Sequence, residues 1–292
     1  MKAIIFGNIY QEKKAAYVES ILCELSMAGF DLIVDEMFHT FISKHLDGQL
    51  PQYAISSELD KSADIAISVG GDGTFLHTAS RVAEAEIPIL GINTGRLGFL
   101  ADMAPQQLHA MASNLAKGNF KTEPRTLLST TLSPLEVKLD HPFALNEVAV
   151  LKHDNSSTIE ITTHINGKFL TNYTADGLVV CTPTGSTGYS LSAGGPILTP
   201  DSRAFCLSPV APHSLSIRPV VLCDDVEVTL SVSSRTHHFM IALDGRSQSL
   251  KDDVQISLKK APHTVHVVKI AHPDFFDTLR QKMMWGADKR ML

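Results

Sequence analysis

Apolar residues over the first 120 positions fall into short unbroken runs separated by stretches of helical spacing. Ala3 to Phe6, Asp31 to Val34, Ile65 to Val69 and Pro88 to Ile92 read as strands. Between them Val18, Ile21, Leu22, Leu25 and Ala28 recur at helix spacing up to Gly29, which suits a C′ position. Phe75, Leu76, Ala79, Val82 and Ala83 mark a second helix, and Leu108, Met111, Ala112 and Leu115 a third, ended by Gly118. Residues 35 to 60 are polar and irregular and read as a loop with a short helix. Continuous apolar strands alternating with helices predict a parallel sheet covered on both faces.

The period changes near Arg125. Ile159, Ile161 and Ile165 alternate with polar residues and run into the hairpin signal Asn166-Gly167. Val226, Val228, Leu230 and Val232 alternate strictly, Phe239 to Leu243 turns at Asp244-Gly245, and Val254 to Leu258 and Thr264 to Ile270 follow as strands. The expected fold is therefore an α/β, Rossmann-like N-terminal domain (1–122) and an antiparallel all-β C-terminal domain (123–270). Residues 275–292 read as a short helix and tail, and the segment 271–292 is expected to complete the first domain.

Composition narrows the function classes. The 292 residues carry a net charge of −6, which argues against a nucleic-acid partner. No window approaches the roughly 20 apolar residues of a membrane span, and the run after Met1-Lys2 is too short for a signal peptide. Cys23, Cys181, Cys206 and Cys223 show no paired spacing, so a reducing, cytoplasmic setting is expected. The thirteen histidines, with His237-His238 among them, show no metal-ligand spacing.

The strand ending at Val69 runs into Gly70-Gly71-Asp72-Gly73-Thr74 and then a helix. This arrangement presents backbone N–H groups and a positive helix end to an anion. Almost no Lys or Arg stands in the glycine-rich stretches, so amides and a divalent cation would neutralise a bound phosphate. A carboxylate in such a loop would repel phosphate, so Asp72 is expected to hold Mg²⁺ or to take a proton from a hydroxyl. Its bland reading is a turn aspartate, with Thr74 able to cap the helix instead. A second block, Thr182 to Pro196, is rich in Gly, Ser and Thr and offers hydroxyls and amides with little bulk. Asn146-Glu147, inside an apolar strand, suits an adenine edge and ribose hydroxyls, or alternatively a solvated edge or bulge.

The glycine loop, Asn93 to Leu100 (NTGRLGFL), Asn146-Glu147, Asp176-Gly177 and Thr182 to Pro196 together resemble the bacterial NAD kinase family across nearly the whole chain. GGDGT alone is shared with diacylglycerol, sphingosine and phosphofructokinases; the other motifs separate NAD kinase from them. The resemblance implies ATP-dependent phosphorylation of the 2′-hydroxyl on the adenosine ribose of NAD. It implies Mg²⁺ or Mn²⁺ arriving with ATP near Asp72 rather than held in a dedicated cage, and a homodimer or homotetramer. By position, Asp72 is the catalytic aspartate, Gly73 lies beside the ligand and His77 contacts phosphate. Asn146 and Glu147 hold the adenosine end. Asp176 and the run Thr187, Gly188, Tyr189, Ser190, Leu191 and Ser192 hold the rest. The resemblance also puts Thr174 and Arg246 among the NAD-binding positions, although Thr174 stands where the family is often charged and Arg246 where many relatives have Gln. A lipid or sugar kinase with the same loop, and a catalytically silent dinucleotide sensor, are the alternatives.

Overall fold

The computed structural model describes residues 1–9, 15–46, 48–94, 98–101, 103, 105–153, 157–270 and 275–286, with the backbone alone at 15, 16 and 105. The chain divides into two compact units, residues 1–124 with 265–292, and residues 125–264.

Unit 1 carries β1 (Lys2–Gly7), β2 (Asp31–Asp35), β3 (Ala54–Ser56), β4 (Ile65–Gly70) and β5 (Ile89–Asn93). They lie in the order β3-β2-β1-β4-β5, and every pair is parallel. Every residue of β4 is buried, as two covered faces require. The helices are α1 (Ala15–Met27), α2 (Glu36–His45), α3 (Asp72–Val82) and α4 (Leu108–Ala116). Val18, Ile21, Leu22 and Leu25 of α1 pack with Leu108, Met111 and Leu115 of α4 in one core with Ala3, Ile5, Ile67 and Ile92.

The stretch 35–60 is more ordered than its polarity suggests. Asp35 accepts a hydrogen bond from the Met37 amide and starts α2, which buries Phe38, Phe41 and Ile42. Three apolar residues at i, i+3 and i+4 suffice to anchor a ten-residue helix. The short strand β3 follows on the sheet edge.

Unit 2 is antiparallel. Its strands are β6 (Lys121–Ser133, entering from unit 1), β7 (Phe143–Ala144), β8 (Glu147–Lys152), β9 (Ile159–Ile165), β10 (Lys168–Ala175), β11 (Gly177–Cys181), β12 (Ala204–Val210), β13 (Val220–Cys223), β14 (Val228–Ser233), β15 (His238–Leu243), β16 (Arg246–Lys251) and β17 (Gln255–Lys269). One sheet runs β13-β12-β11-β8-β15-β16; β10, β9, β14 and the first half of β17 pair in another. Val148, Val150, Val180, Phe205 and Ile241 of the first share a core with Ile161, Tyr173, Leu230 and Ile256 of the second.

Both predicted hairpin turns are present. Asn166 and Gly167 have φ of 50° and 75°, and Asp244 and Gly245 have 48° and 81°. Two successive residues at positive φ are what a two-residue hairpin turn demands, and Asn-Gly and Asp-Gly tolerate it best. The strands expected at 254–258 and 264–270 are one continuous β17. It pairs with β14 at Gln255–Leu258, with β5 at Val267 and also with β6, and runs through Pro262 as a single strand.

The far end of β17 returns to unit 1, where Val267 pairs in parallel with Ile89. The chain then reaches α6 (Phe275–Met283), which buries Leu279 in unit 1. The Lys282 ammonium stands 5.4 Å from the Phe99 ring centroid. The expected terminal helix is thus present and touches the NTGRLGFL segment; residues 271–274 and 287–292 lie outside the described residues.

Candidate active site

In unit 1 the glycine loop falls where β4 meets α3. Gly71 is the N-cap of α3 and supplies no side-chain cap; Thr74 does not take that role. The first N–H groups of the helix therefore have no side-chain acceptor, which is the condition for anion binding. The three leading glycines differ in why they are glycine. A Cβ on Gly70 would stand 2.2 Å from the Thr74 hydroxyl, so packing alone excludes it. On Gly71 or Gly73 it would meet nothing within 4 Å, and neither residue has a positive φ. Their open side faces a cavity of about 540 Å³, lined also by Gly7, Asn8, Asp35 and His77. That volume is in the range of small-molecule sites.

Asp72 opens α3 and is half-buried. Its carboxylate turns to the loop at 98–101: Oδ2 accepts from the Phe99 amide at 2.7 Å, and Oδ1 from Leu100 and Ala101 at 3.0 and 3.1 Å. Gly98 lets the backbone approach this closely, since a Cβ there would stand 1.9 Å from Oδ1. Asn93 ties the same loop down through Nδ2 to the Ala101 carbonyl at 3.1 Å. The GGDGT and NTGRLGFL motifs are therefore one structural object. Gly95, Arg96 and Leu97 of the second motif lie outside the described residues.

Unit 2 contains a second such cradle, which the sequence did not reveal. Asp244, at the β15–β16 turn, accepts from the amides of Leu145, Asn146 and Glu147 at 2.7, 2.8 and 3.1 Å. Desolvation pushes its pKa up, against the pull of those three bonds and of Arg246. Its local signal, Asp before Gly, is fully explained by the turn, so the long-range partners had no separate mark.

The cradle fixes the backbone beneath Asn146 and Glu147. Asn146 Oδ1 and Glu147 Oε2 are buried without a hydrogen-bond partner among the described residues. Buried polar atoms are rarely left so, and these two are adjacent in the chain. Burial first, then the nearby Asp244 charge, raises the Glu147 pKa to about 7, although the Tyr189 amide bonds to it and lowers it.

The Thr182–Ser192 segment closes over this pair. The Thr182 amide donates to the Asn146 carbonyl at 2.9 Å, and Gly185 lies so close that a Cβ would stand 2.1 Å from that oxygen. A Cβ on Gly188 would be 3.0 Å from Glu147 Oε2. The loop then turns into α5 (Tyr189–Ser192). Ser190 is buried with its hydroxyl 2.8 Å from that of Ser208, Thr187 and Leu191 are partly covered, and Tyr189 and Ser192 are exposed. The structure thus gathers Asn146, Glu147 and the 187–192 run.

Three other residues stand apart from that group. Asp176 pairs with Lys152 Nζ at 2.8 Å, at the opposite end of β11 from Thr182. Six residue steps along the strand put about 20 Å between them. Thr174 sits next to it on β10, its carbonyl bonded to the His213 amide. Arg246 donates to the carbonyls of Leu243, Asp140, His141 and Phe143 at 2.7–3.3 Å. Its guanidinium fastens the 140–143 segment to the hairpin.

Among the described residues no three His, Cys, Asp or Glu side chains cluster as a metal site. Asp72 alone in the glycine loop nevertheless fits Mg²⁺, which takes one or two carboxylates and completes its shell with substrate phosphates and water. No helix among the described residues is long and apolar enough to cross a membrane.

The comparisons with known proteins agree with this geometry. Residues 4–120 match the ATP-NAD kinase N-terminal domain and residues 145–270 the ATP-NAD kinase C-terminal domain. An NAD kinase of Bacteroides fragilis (strain YCH46) is 47% identical over 291 residues, covering 100% of both chains. One of Porphyromonas gingivalis (strain ATCC 33277) is 41% identical, covering 99% of each. Among solved structures, yeast NADH kinase complexed with NADH superposes with a TM-score of 0.87 at 24% identity, covering 100% of this chain and 90% of that one. An Archaeoglobus fulgidus NAD kinase in complex with ATP gives 0.73 at 24% identity, covering 97% and 99%. With one fold, both domain signatures and full-length relatives in agreement, the chain belongs to the ATP-NAD kinase family.

Proposed function

We propose that this chain transfers the γ-phosphate of ATP to the 2′-hydroxyl of the adenosine ribose of NAD, producing NADP. The observation that carries the reading is the glycine loop: Gly71 and Gly73 are open on a cavity where nothing among the described residues forbids a side chain. Glycines kept without an internal reason leave room for a ligand against the backbone. Asp72 stands between them.

Phosphoryl transfer needs positioning and charge neutralisation more than covalent work. The α3 N-terminus and the amides of the loop take the triphosphate. A divalent cation bound with ATP would offset the remaining charge, with Asp72 as its protein ligand or as the group that aims the attacking hydroxyl. The 2′-oxygen forms the new P–O bond, the γ-phosphate separates from the β-phosphate oxygen, ADP leaves, and the hydroxyl proton passes to Asp72 late in the step. Asn146 and Glu147 hold the adenosine end through the two atoms that lack partners, and the 187–192 run holds the rest.

His77, on the cavity wall, contacts donor phosphate. Asp176 and Thr174 sit too far along β11 and β10 to join Glu147 in one copy. A homodimer or homotetramer, in which a second copy supplies them, accounts for both. Four free cysteines accord with a cytoplasmic location. The test is a coupled NADP-formation assay with ATP or polyphosphate as donor, and NAD, NADH, diacylglycerol or fructose 6-phosphate as acceptor. The reading requires ATP-dependent product from NAD or NADH and none from the lipid or sugar. Product from the lipid or sugar alone would reject it, and absence of any product would favour a silent sensor.

A further inference from the structure

The cavity of unit 1 extends beyond the phosphate loop. In the order β3-β2-β1-β4-β5 the chain reverses direction of growth between β1 and β4, and ligands of such sheets occupy the crevice at the strands' carboxyl ends there. Gly7 ends β1 and Asn8 follows it, Gly71 follows β4, and Asp35 ends β2; all line the one cavity. We propose that this cavity takes the nucleoside of the triphosphate donor and that the Asp35 carboxylate reads its ribose hydroxyls, with Arg81 as the positioning residue. The assignment rests on the kinase reading above and extends it to the donor's sugar.

Asp35 is placed for this. Its side chain is only 7% exposed. Oδ2 accepts from the Met37 amide at 3.2 Å and Oδ1 faces Arg81 Nη1 at 3.4 Å. A carboxylate offers about four acceptor positions, so each oxygen keeps capacity for one hydroxyl of a vicinal diol. Arg81 is itself held, with Nη2 on the Ser57 carbonyl at 3.2 Å and its guanidinium 5.6 Å from the Phe6 ring centroid. Without that cation a buried carboxylate beside a triphosphate would be repulsive; with it, the pair is neutral to the incoming phosphates. Met37 lines the same cavity with 58% of its surface exposed, an apolar and adaptable face for a purine. The acceptor groups Asn146 and Glu147 belong to unit 2, which leaves the unit 1 cavity for the donor.

The test compares ATP, 2′-deoxy-ATP and 3′-deoxy-ATP as donors at saturating NAD, in the wild type, Asp35→Ala, Asp35→Asn and Arg81→Lys. The wild type should show a KM about tenfold or more higher for the deoxy donors, the loss expected for a hydrogen bond to a charged group. Asp35→Ala should raise the ATP KM to the deoxy level and erase the preference, with KM for NAD unchanged. Asp35→Asn retains a carbonyl to cap α2, so it keeps the test valid if the alanine variant melts early, and it should reduce the preference by at least half. Arg81→Lys should raise KM for all three donors while narrowing the ratio. A folded Asp35 variant with the wild-type ATP to deoxy-ATP ratio, or one whose effect falls on KM for NAD, overturns the proposal. A wild type that turns over ATP with equal KM for all three donors overturns it as well, and leaves the kinase reading standing; no NADP from any donor removes both.

Discussion

Two aspartates, one in each unit, accept from three consecutive backbone amides. Asp72 holds Phe99, Leu100 and Ala101; Asp244 holds Leu145, Asn146 and Glu147. The same device serves two ends. Asp244 sits in a hairpin turn beneath strand β8, and what it displays is its neighbours, the partnerless atoms of Asn146 and Glu147. Asp72 sits in the glycine loop itself, half-buried at the head of a helix that has no side-chain cap. The Asp244 cradle fixes other residues, whose side chains it presents. The Asp72 cradle fixes the aspartate itself, and among the described residues no lysine or arginine pairs with that carboxylate.

That contrast can be broken by stability measurements. The largest effect belongs to Asp244→Ala, which strands three amides at once. A loss of roughly 2–4 kcal/mol in urea unfolding is expected, with weaker NAD binding. Asp244→Asn, which keeps an acceptor, should recover part of both. If the alanine variant unfolds like the wild type, the cradle is not structural.

Next in size is Glu147. Its pKa, raised to about 7 from an ordinary 4.5, means that the folded chain favours the protonated acid. The associated stability is fully present below about pH 4.5 and is lost as pH rises through 7. Glu147→Gln should therefore be more stable than the wild type at pH 8, by on the order of 2 kcal/mol, and equal to it near pH 4. NAD affinity of the wild type should rise between pH 6 and 8 as the carboxylate ionises, and the variant should lose that dependence. Identical pH profiles in calorimetric NAD titrations would remove Glu147 from the site.

Arg246→Ala should have the smallest effect, about 1–2 kcal/mol from freeing the 140–143 segment. Its KM for ATP should stay unchanged. A selective loss of NAD binding without a stability loss would instead favour the ligand contact that its position in the family implies.

These residues also show where sequence reading reaches its limit. The unit 1 strands were legible because buried parallel strands are unbroken apolar runs, and the Asn166-Gly167 and Asp244-Gly245 turns because positive φ restricts residue choice. Asp72 was legible as an anomaly, a carboxylate in an anion loop. Its partners were not: Phe99 is 27 positions away, and Asp244 is 97–99 positions from the amides that it holds. Such bonds leave no local period. Arg246 read as a ligand contact only through its position in the family, whereas backbone carbonyls take up its donors. Asp35 closed an apolar strand and passed as its boundary; the fold shows that it lines the cavity at the strand ends.

The division of labour between the two cradles rests on Asp72. The direct measurement is turnover and NAD affinity of Asp72→Asn, which keeps a carbonyl acceptor for the 99–101 loop while removing the charge. The account predicts a fall in kcat of about 10²–10⁴-fold, with KM for NAD close to the wild type and a lowered melting temperature, since the new NH2 group faces an amide that the second carboxylate oxygen had accepted. A folded Asp72→Asn enzyme turning over within tenfold of the wild type would contradict it.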